Sequence, residues 1–393
     1  MKKFIFMCVI FAITLTPFFI FAKEYDIDEP GFYIDDLECD TLYYQSASVL
    51  VMNADTGCIL YETEGFTARY PASVTKVMTA LLVLEHVQDL SAPLTFSSHA
   101  VDIPYYASRM WVHAGETITV LEALYGNLLP SGNEVARALA EYVSGSVPAF
   151  VELMNQRAVE LGATTTNFVN PCGLPGDGQF TTAYDMSLIM QAAIQHPVFL
   201  QIIATPYFEL PPTNMYGNYR TLRNTNRMIR PDEPEYSPYV IGGKTGFTNA
   251  AQHTLVSYAS RGNHNIILTV LYAPRGANFT DTAALMEYVF NMLDKQEAEE
   301  AAKIAAEEEL ARAMAEAEEV ELEKYPPDYA LPSATVYDIY EYEEPPDLNL
   351  QEYDMYEETP NSRFVAIISI SILTAILGLL TAFRYFCRKN NTA

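Results

Sequence analysis

Positive charge and paired cysteines are both scarce in this chain of 393 residues. Only 23 Lys and Arg stand against 50 Asp and Glu, which gives a formal net charge of −27. Such a protein would repel a phosphate backbone, so the composition excludes nucleic-acid binding. The five cysteines show no Cys-x-x-Cys or Cys/His spacing, so neither a zinc site nor a full disulfide framework is predicted. Among Cys39, Cys58 and Cys172, at most one bridge could form.

Histidine is also rare, and no histidine has the context of a triad base. Each of the six residues is better interpreted as an ordinary surface or core residue than as the partner of a nucleophile. They are His86, His99, His113, His196, His253 and His264. The sequence therefore predicts no Ser/His or Cys/His catalytic pair.

The negative charge is concentrated near one end of the chain. Residues 294–362 contain 22 Asp and Glu against four Lys and Arg, so they carry 18 of the 27 net negative charges. Residues 294–324 are almost all Ala, Glu, Leu, Lys and Arg, which predicts a solvated helical stalk, with a coiled coil as the alternative. Residues 325–362 are rich in Pro, Tyr and Glu without any period, and we predict a disordered linker there.

The N-terminal residues have the pattern of an export signal. Residues 1–22 combine a basic start, an apolar run and a small residue at the end, which is typical of a secretory signal peptide. The ending Ile20-Phe21-Ala22 matches the cleavage pattern Ala-x-Ala poorly, so an uncleaved N-terminal anchor is the alternative. Residues 23–44 are polar, acidic and aromatic, and we predict a leader arm there.

A second hydrophobic segment lies close to the C-terminus. Residues 364–383 are twenty residues without a charge, long enough to cross a hydrocarbon layer, so we predict a transmembrane helix at 363–384. Lys and Arg follow at once, and the positive-inside rule then places the tail, residues 385–393, in the cytoplasm. The part between the two hydrophobic ends is therefore expected outside the cell, tethered to the membrane.

The central residues, 45–293, carry the signals of an α+β domain. Helical patterns fill the middle of this range, and a helix at 285–293 closes it. Strand-like runs occur only at its two ends, and a turn signal separates the first two. These runs are residues 47–52, 58–61, 239–248, 254–258 and 266–272. The pattern predicts one antiparallel sheet built from early and late strands, with helices on its faces and an all-helical subregion.

One short stretch combines a serine and a lysine at helical spacing. Ser73 and Lys76 follow Pro71 and Ala72 at the start of an apolar helical run, so they share one face of its first turn. An amine can take the proton of a serine hydroxyl only if burial or a nearby cation lowers its pKa. Taken alone, the pair is better interpreted as a helix cap and a solvated lysine than as a catalytic pair.

Two further motifs follow in order. Ser131-Gly132-Asn133 lies in a turn between two helical patterns, where we expect its polar side chains to face outward at a loop tip. Lys244-Thr245-Gly246 lies on the first of the late strands. Each motif alone is an ordinary turn or strand, but the ordered set of three is far rarer than any one of them and is the set found in β-lactamases and penicillin-binding proteins.

With these motifs, the chain resembles the serine D-alanyl-D-alanine carboxypeptidases, which are low-molecular-mass penicillin-binding proteins with a β-lactamase-like fold. The resemblance runs from about residue 47 to about residue 293. It includes an opening segment, the residues around the three motifs and two segments between the second and third motifs, at 53–57, 69–76, 128–133, 168–171, 181–186 and 243–248.

The resemblance implies a division of catalytic work. Ser73 would be the nucleophile that is acylated, Lys76 its base, and Ser131 the group that passes the proton to the leaving D-alanine. Lys244 would supply positive potential that keeps Lys76 neutral. The implied substrate is the pentapeptide of peptidoglycan, the implied inhibitors are β-lactam antibiotics, and the prediction includes no metal ion and no cofactor.

The resemblance also implies a set of substrate-binding residues. Asn133 would hold the peptide amide, while Lys244 and Thr245 would bind the substrate carboxylate. Gly246 completes the third motif, and the backbone N–H of Phe247 would form an oxyanion hole together with that of the nucleophile. D,D-endopeptidase or β-lactamase activity at the same site, and a non-catalytic peptidoglycan-binding module, are the alternatives.

Two features depart from the family pattern. Cys172 stands where the family usually has histidine after Asn-Pro, and we expect it either to alter the rim of the pocket or to offer a thiol to oxidation. The β-rich second domain of many relatives is replaced by the acidic stalk, the linker and the predicted membrane helix.

Overall fold

The computed structural model describes residues 42–324, and it describes their side chains as far as residue 317. Several predicted segments lie outside the described residues: the signal peptide or anchor, nearly all of the leader arm, the acidic linker, the transmembrane helix and the cytoplasmic tail. Among the described residues no single helix is long and apolar enough to cross a membrane, although one bent pair of helices, Ala183–Ala193 and Pro197–Ile203, meets that test jointly by length and composition, with a bend of 115°.

Residues 42–324 contain nine strands and eight α-helices. The strands are β1 (Ser48–Asn53), β2 (Ile59–Thr63), β3 (Pro93–Thr95), β4 (Thr117–Thr119), β5 (Tyr207–Leu210), β6 (Arg220–Arg223), β7 (Val240–Thr248), β8 (Gln252–Arg261) and β9 (His264–Ala273). The α-helices are α1 (Lys76–His86), α2 (Ser98–Val101), α3 (Val120–Leu128), α4 (Asn133–Ser144), α5 (Val147–Glu160), α6 (Ala183–Ala193), α7 (Pro197–Ile203) and α8 (Ala277–Lys324). Short 3-10 helices lie at Ala72–Thr75 and Arg227–Ile229.

Early and late strands form one antiparallel sheet of five strands in the order β2-β1-β9-β8-β7. The early strand β1 pairs with the last strand β9, with Val51 opposite Leu268. Consecutive hairpins connect β7, β8 and β9. The prediction of an antiparallel sheet with one edge from each end of the domain is therefore confirmed, and its free edges are β2 and β7.

The sheet is covered on both faces, which explains why all but the last residue of β1 are buried. Successive side chains of a strand point to opposite faces. Leu50 and Met52 pack into the larger core, which includes the buried faces of α1 and α3 to α7. Val49 and Val51 pack into a second core against the first turns of α8. Helices on both faces of the sheet were predicted and are confirmed.

Four strands were not predicted. β3 and β4 form one two-stranded sheet, and β5 and β6 form another. Each has only three or four residues and buries no more than one of them. So short a run carries no measurable alternation of polar and apolar residues, which is why the sequence pattern does not reveal it.

The last helix is longer than the predicted closing helix. α8 has 48 residues and contains both the predicted closing helix, 285–293, and the acidic segment 294–324. Its first part buries Leu285 and Phe290 in the second core, whereas residues 294–317 are all exposed. Nothing apolar covers this acidic part among the described residues, and its role as a stalk stays a prediction.

Candidate active site

Ser73 lies in the 3-10 turn Ala72–Thr75, directly before α1. The preceding residue, Ala72, has a φ of 50°, in the left-handed region that alanine rarely adopts. A neighbouring loop approaches so closely that a Cβ at Gly173 would be 1.7 Å from the carbonyl oxygen of Ala72. The loop that contains Gly173 thus packs against the strained turn before the serine. Strained backbone at a functional site is usually maintained by the surrounding structure in this way.

The side chain of Lys76 contacts this serine. Its Nζ is 3.1 Å from Ser73 Oγ, and it also donates to Asn133 Oδ1 at 2.9 Å and to the carbonyl oxygen of Cys172 at 2.8 Å. The side chain is wholly buried, and burial lowers the pKa of Lys76 from 10.5 to about 8, against the raising influence of Cys172 and Glu134. A sizeable fraction of Lys76 is therefore neutral near pH 8 and able to accept a proton.

The second motif faces the interior and not the solvent. Ser131 and Asn133 are 4% and 2% exposed, so the expectation of an outward-facing loop tip was wrong. The reason is that distant groups satisfy the polar atoms of Asn133: Lys76 donates to its Oδ1, and its Nδ2 donates to Ser108 O at 2.9 Å. Ser131 has a φ of 64°, and its buried Oγ has no hydrogen-bond partner among the described residues.

The third motif brings a second buried lysine to the site. Lys244 is 1% exposed, and its Nζ donates to the carbonyl oxygen of Thr245 at 2.7 Å. Burial, followed by the charge of Lys76, holds the pKa of Lys244 well below its usual value. Burial is the main cause of the lowered pKa of Lys76, and the charge of Lys76 acts on the pKa of Lys244, so the two buried lysines repel each other.

Strand β7 lies directly against the turn that holds the serine. A Cβ at Gly246 would be 2.7 Å from the backbone nitrogen of Ser73 and 2.4 Å from Thr254 Oγ1. Thr254 in turn donates to the carbonyl oxygen of Pro71 at 3.0 Å. Only glycine allows this approach, so Gly246 joins the third motif to the first. The next residue, Phe247, is half-exposed at the same edge.

An open cavity of about 710 Å³ connects these motifs. Six of the eight predicted site residues line it, namely Ser73, Ser131, Asn133, Thr245, Gly246 and Phe247. The other two, Lys76 and Lys244, lie buried behind its wall. The structure therefore brings all three motifs together around one serine, although 57 residues separate Lys76 from Asn133 in the sequence.

Comparison with known proteins agrees with the family resemblance that the motifs indicate. Residues 38–275 match the family model described as D-alanyl-D-alanine carboxypeptidase. This chain belongs to that family. A carboxypeptidase of this name from Bacillus subtilis is 32% identical over 266 residues, which are 66% of each chain, and one from Mycobacterium tuberculosis is 34% identical over 242 residues, 60% of this chain and 79% of the relative. The crystal structure of the Streptomyces K15 DD-transpeptidase superimposes with a TM-score of 0.60 and 29% identity, over 64% of this chain and all of that one.

Two residues at this carboxypeptidase-family site, Thr225 and Glu134, were not predicted. Thr225 accepts a hydrogen bond from Thr245 Oγ1 at 2.7 Å and lines the cavity. Glu134 follows the second motif directly, and its buried Oε1 accepts the N–H groups of Met110 and Trp111 at 2.7 and 3.0 Å. The position of an acid directly after the second motif is the one sequence signal that could have singled out Glu134, whereas nothing in the sequence marks Thr225.

Cys172 does not lie on the cavity rim of this family member. Its side chain is buried, and its Sγ is 3.4 Å from the carbonyl oxygen of Asn133. Burial raises the pKa of its thiol to about 11, against the lowering influence of Lys76. The thiol is thus neither exposed nor ionised, which opposes its oxidation, and its backbone carbonyl is the group that contacts the lysine. Cys58 and Cys172 are both free cysteines.

Proposed function

We propose that this member of the serine carboxypeptidase family removes the terminal D-alanine from the pentapeptide of peptidoglycan through an acyl-enzyme on Ser73. The observation that carries the proposal is the contact between a serine and a wholly buried lysine, with Lys76 Nζ 3.1 Å from Ser73 Oγ, at the wall of an open cavity. A nucleophile and a base of lowered pKa within hydrogen-bond reach are what acyl transfer requires.

Acylation uses the two groups that converge on this serine. Neutral Lys76 takes the proton of Ser73 as Oγ attacks the carbonyl carbon of the penultimate D-alanine, and the peptide C–N bond breaks. The leaving amine receives a proton through Ser131, whose Oγ is buried beside the cavity and has no hydrogen-bond partner among the described residues. Water then attacks the ester carbonyl and restores the serine hydroxyl.

Substrate binding uses the edge of β7. The N–H groups of Ser73 and Phe247 form the oxyanion hole, a contribution worth about 3 kcal/mol per donor. The close approach at Gly246 supports this assignment because it brings the backbone of β7 against the Ser73 nitrogen. The Thr245 hydroxyl, which donates to Thr225 in the free enzyme, turns to donate to the substrate carboxylate, and Lys244 lies buried behind it. Asn133 Oδ1 accepts from Lys76 and keeps a second lone pair for the peptide amide.

The proposal extends to the location of the enzyme. The apolar segments 1–22 and 363–384 support a catalytic domain outside the cytoplasm, held at the cell membrane by a C-terminal helix with a short cytoplasmic tail. The exposed acidic helix of residues 294–317 supports a stalk between domain and membrane.

Endopeptidase activity on peptide cross-links is the second candidate. Relatives named D-alanyl-D-alanine endopeptidase, from Pseudomonas aeruginosa and Escherichia coli, are similar to this chain as well. A non-catalytic peptidoglycan-binding module would have no use for a lysine buried against a serine. β-Lactamase activity would use the same groups but with fast release of the opened lactam.

The test is covalent labelling of the full chain with a fluorescent penicillin, followed by D-alanine release from a soluble pentapeptide. We expect the label to map to the peptide that contains Ser73, and Ser73→Ala to abolish both label and release. Ser91→Ala, a substitution at an exposed serine, is the matched control and keeps both. Unchanged labelling of Ser73→Ala would refute the proposal. Faster cleavage of a cross-linked dimer than of the pentapeptide would assign endopeptidase activity instead, and rapid penicillin turnover would assign β-lactamase activity.

A further inference from the structure

Exposed aromatic side chains continue the surface beyond the mouth of the cavity. Tyr105 and Tyr106 are 93% and 80% exposed, and Tyr106 also lines the cavity. Trp111, the only tryptophan of the chain, is 70% exposed, and Tyr216 on the loop between β5 and β6 is 43% exposed. We call these four side chains the aromatic ridge. Exposed aromatic clusters of this kind mark binding surfaces.

Two arginines connect the members of the aromatic ridge. Arg109 donates to the carbonyl oxygens of Ile103 and Pro104, at 2.6 and 3.2 Å, and its guanidinium lies 5.8 Å from the centre of the Trp111 ring. This arginine therefore joins the loop that precedes Tyr105 to the tryptophan. The ridge thus extends from the cavity as far as Trp111.

The second arginine extends the ridge to the β5–β6 loop. Arg220 donates to the carbonyl oxygen of Trp111 at 3.2 Å, and its guanidinium lies 5.1 Å from the centre of the Tyr216 ring. The same arginine forms an ion pair with Glu116, which is wholly buried. The tryptophan and the tyrosine are therefore held on one surface by a single anchored side chain.

The backbone of Trp111 is held in a conformation that turns a large ring into solvent. Its φ is 64°, which is unfavourable for any residue with a side chain as bulky as tryptophan. Its N–H donates to buried Glu134, and its C=O accepts from Arg220. Glu134 adjoins Asn133 of the second motif, so the ridge has a defined position relative to the catalytic serine. Backbone strain that is held from both sides indicates a functional surface.

We propose that the aromatic ridge binds the glycan strand to which the substrate peptide is attached. Sugar rings present apolar C–H faces with polar edges, and rigid Trp and Tyr rings bury such faces at little cost in side-chain entropy. An extended stem of five residues spans about 17 Å, so a peptide whose end lies at Ser73 keeps its glycan near the mouth of the cavity. The inference rests on the proposed function, because only a peptidoglycan substrate carries this strand.

A lipid surface is the other partner that exposed Trp and Tyr side chains fit. Continuity between the ridge and the cavity, through Tyr106, favours a ligand that is part of the substrate. We therefore argue for the glycan and leave the membrane as an outcome of the test.

The single tryptophan allows a direct measurement. In the full chain with Ser73→Ala, the tryptophan emission reports on Trp111 alone, and we expect it to change saturably on addition of glycan strands from which the peptides have been removed. No change in emission would overturn the proposal. A change with phosphatidylcholine vesicles but not with glycan would overturn it in favour of a membrane surface.

Kinetics on two substrates provide the second measurement. We expect Trp111→Ala and Tyr216→Ala each to lower, by about fivefold, the ratio of kcat/KM for uncross-linked strands carrying the pentapeptide to kcat/KM for the free pentapeptide. Tyr43→Ala, at an exposed tyrosine outside the ridge, keeps the wild-type ratio. Equal losses on both substrates, or no loss, would overturn the proposal. Failure of the wild type to release D-alanine from the free pentapeptide would instead refute the proposed function.

Discussion

Lys76 and Asn133 are joined by a hydrogen bond of 2.9 Å from Nζ to Oδ1. This bond ties the base of the first motif to the second motif, and Asn133 is itself fixed by its Nδ2 and N–H donating to Ser108 O at 2.9 and 3.0 Å. The Nζ atom is thus held between the serine and the asparagine at a wholly buried position. Positioning of this kind supplies a large part of the rate of an acyl transfer.

The lowered pKa of Lys76 predicts how acylation depends on pH. Burial lowers this pKa from 10.5 to about 8, and only the neutral amine accepts the serine proton. The rate of acylation by penicillin should therefore rise about tenfold per pH unit below pH 8 and level off above it. Lys76→Arg, which stays protonated, should lose about 10²- to 10⁴-fold at every pH. Stopped-flow labelling measures the profile, and a midpoint near 10.5 would contradict a buried neutral base.

Replacement of Glu134 should move that profile. The charge of Glu134 raises the pKa of Lys76, so Glu134→Gln, which removes the charge, should lower this pKa and shift the midpoint of acylation to lower pH. Glutamine keeps an oxygen for the N–H groups of Met110 and Trp111, so most of the local structure persists. Glu152→Gln, in α5, is the control and leaves the midpoint in place. A shift to higher pH in Glu134→Gln would show that its carboxylate does not act on the lysine.

The features of this site that the sequence predicts are those that depend on residues close together in the chain. The three motifs and the strand-like runs of the five-stranded sheet are local patterns, and they were predicted. The inward orientation of Asn133 depends on Lys76 and Ser108, which lie 57 and 25 residues away in the chain, so no local pattern contains it. Thr225 could not be predicted for the same reason, because Thr245 donates a hydrogen bond to it only in the folded chain.

The close approach at Gly246 predicts a loss of acylation when a single methyl group is added. In Gly246→Ala the new Cβ would meet the Ser73 nitrogen at 2.7 Å, so β7 must move away from the oxyanion hole. A displacement of about 1 Å can cost about 10²-fold in rate, and we expect that loss in penicillin acylation. Gly217→Ala, whose Cβ would have no atom within 4 Å, is the matched control and keeps the wild-type rate. Equal rates in the two variants would contradict the contact.

Gly173 is required for two separate reasons, and two alanine variants distinguish them. Its φ is 82°, and its Cβ would be 1.7 Å from Ala72 O, in the backbone of the turn that carries Ser73. Gly145 has a similar φ of 73°, but a Cβ there would have no atom within 4 Å. Gly145→Ala should therefore lose only the conformational preference of glycine, about 1 kcal/mol in the free energy of unfolding.

Gly173→Ala should lower the free energy of unfolding by more than Gly145→Ala does. Two backbone segments cannot overlap, so the loop must leave the serine turn, and we expect a loss of about 3 kcal/mol or more together with slower acylation. Thermal unfolding of the two full-length variants, with and without penicillin, measures both effects. If Gly173→Ala unfolded at the same temperature as Gly145→Ala and were acylated at the wild-type rate, the loop would not support the turn. The strained φ of Ala72 would then have to be maintained by α1 and β7 alone.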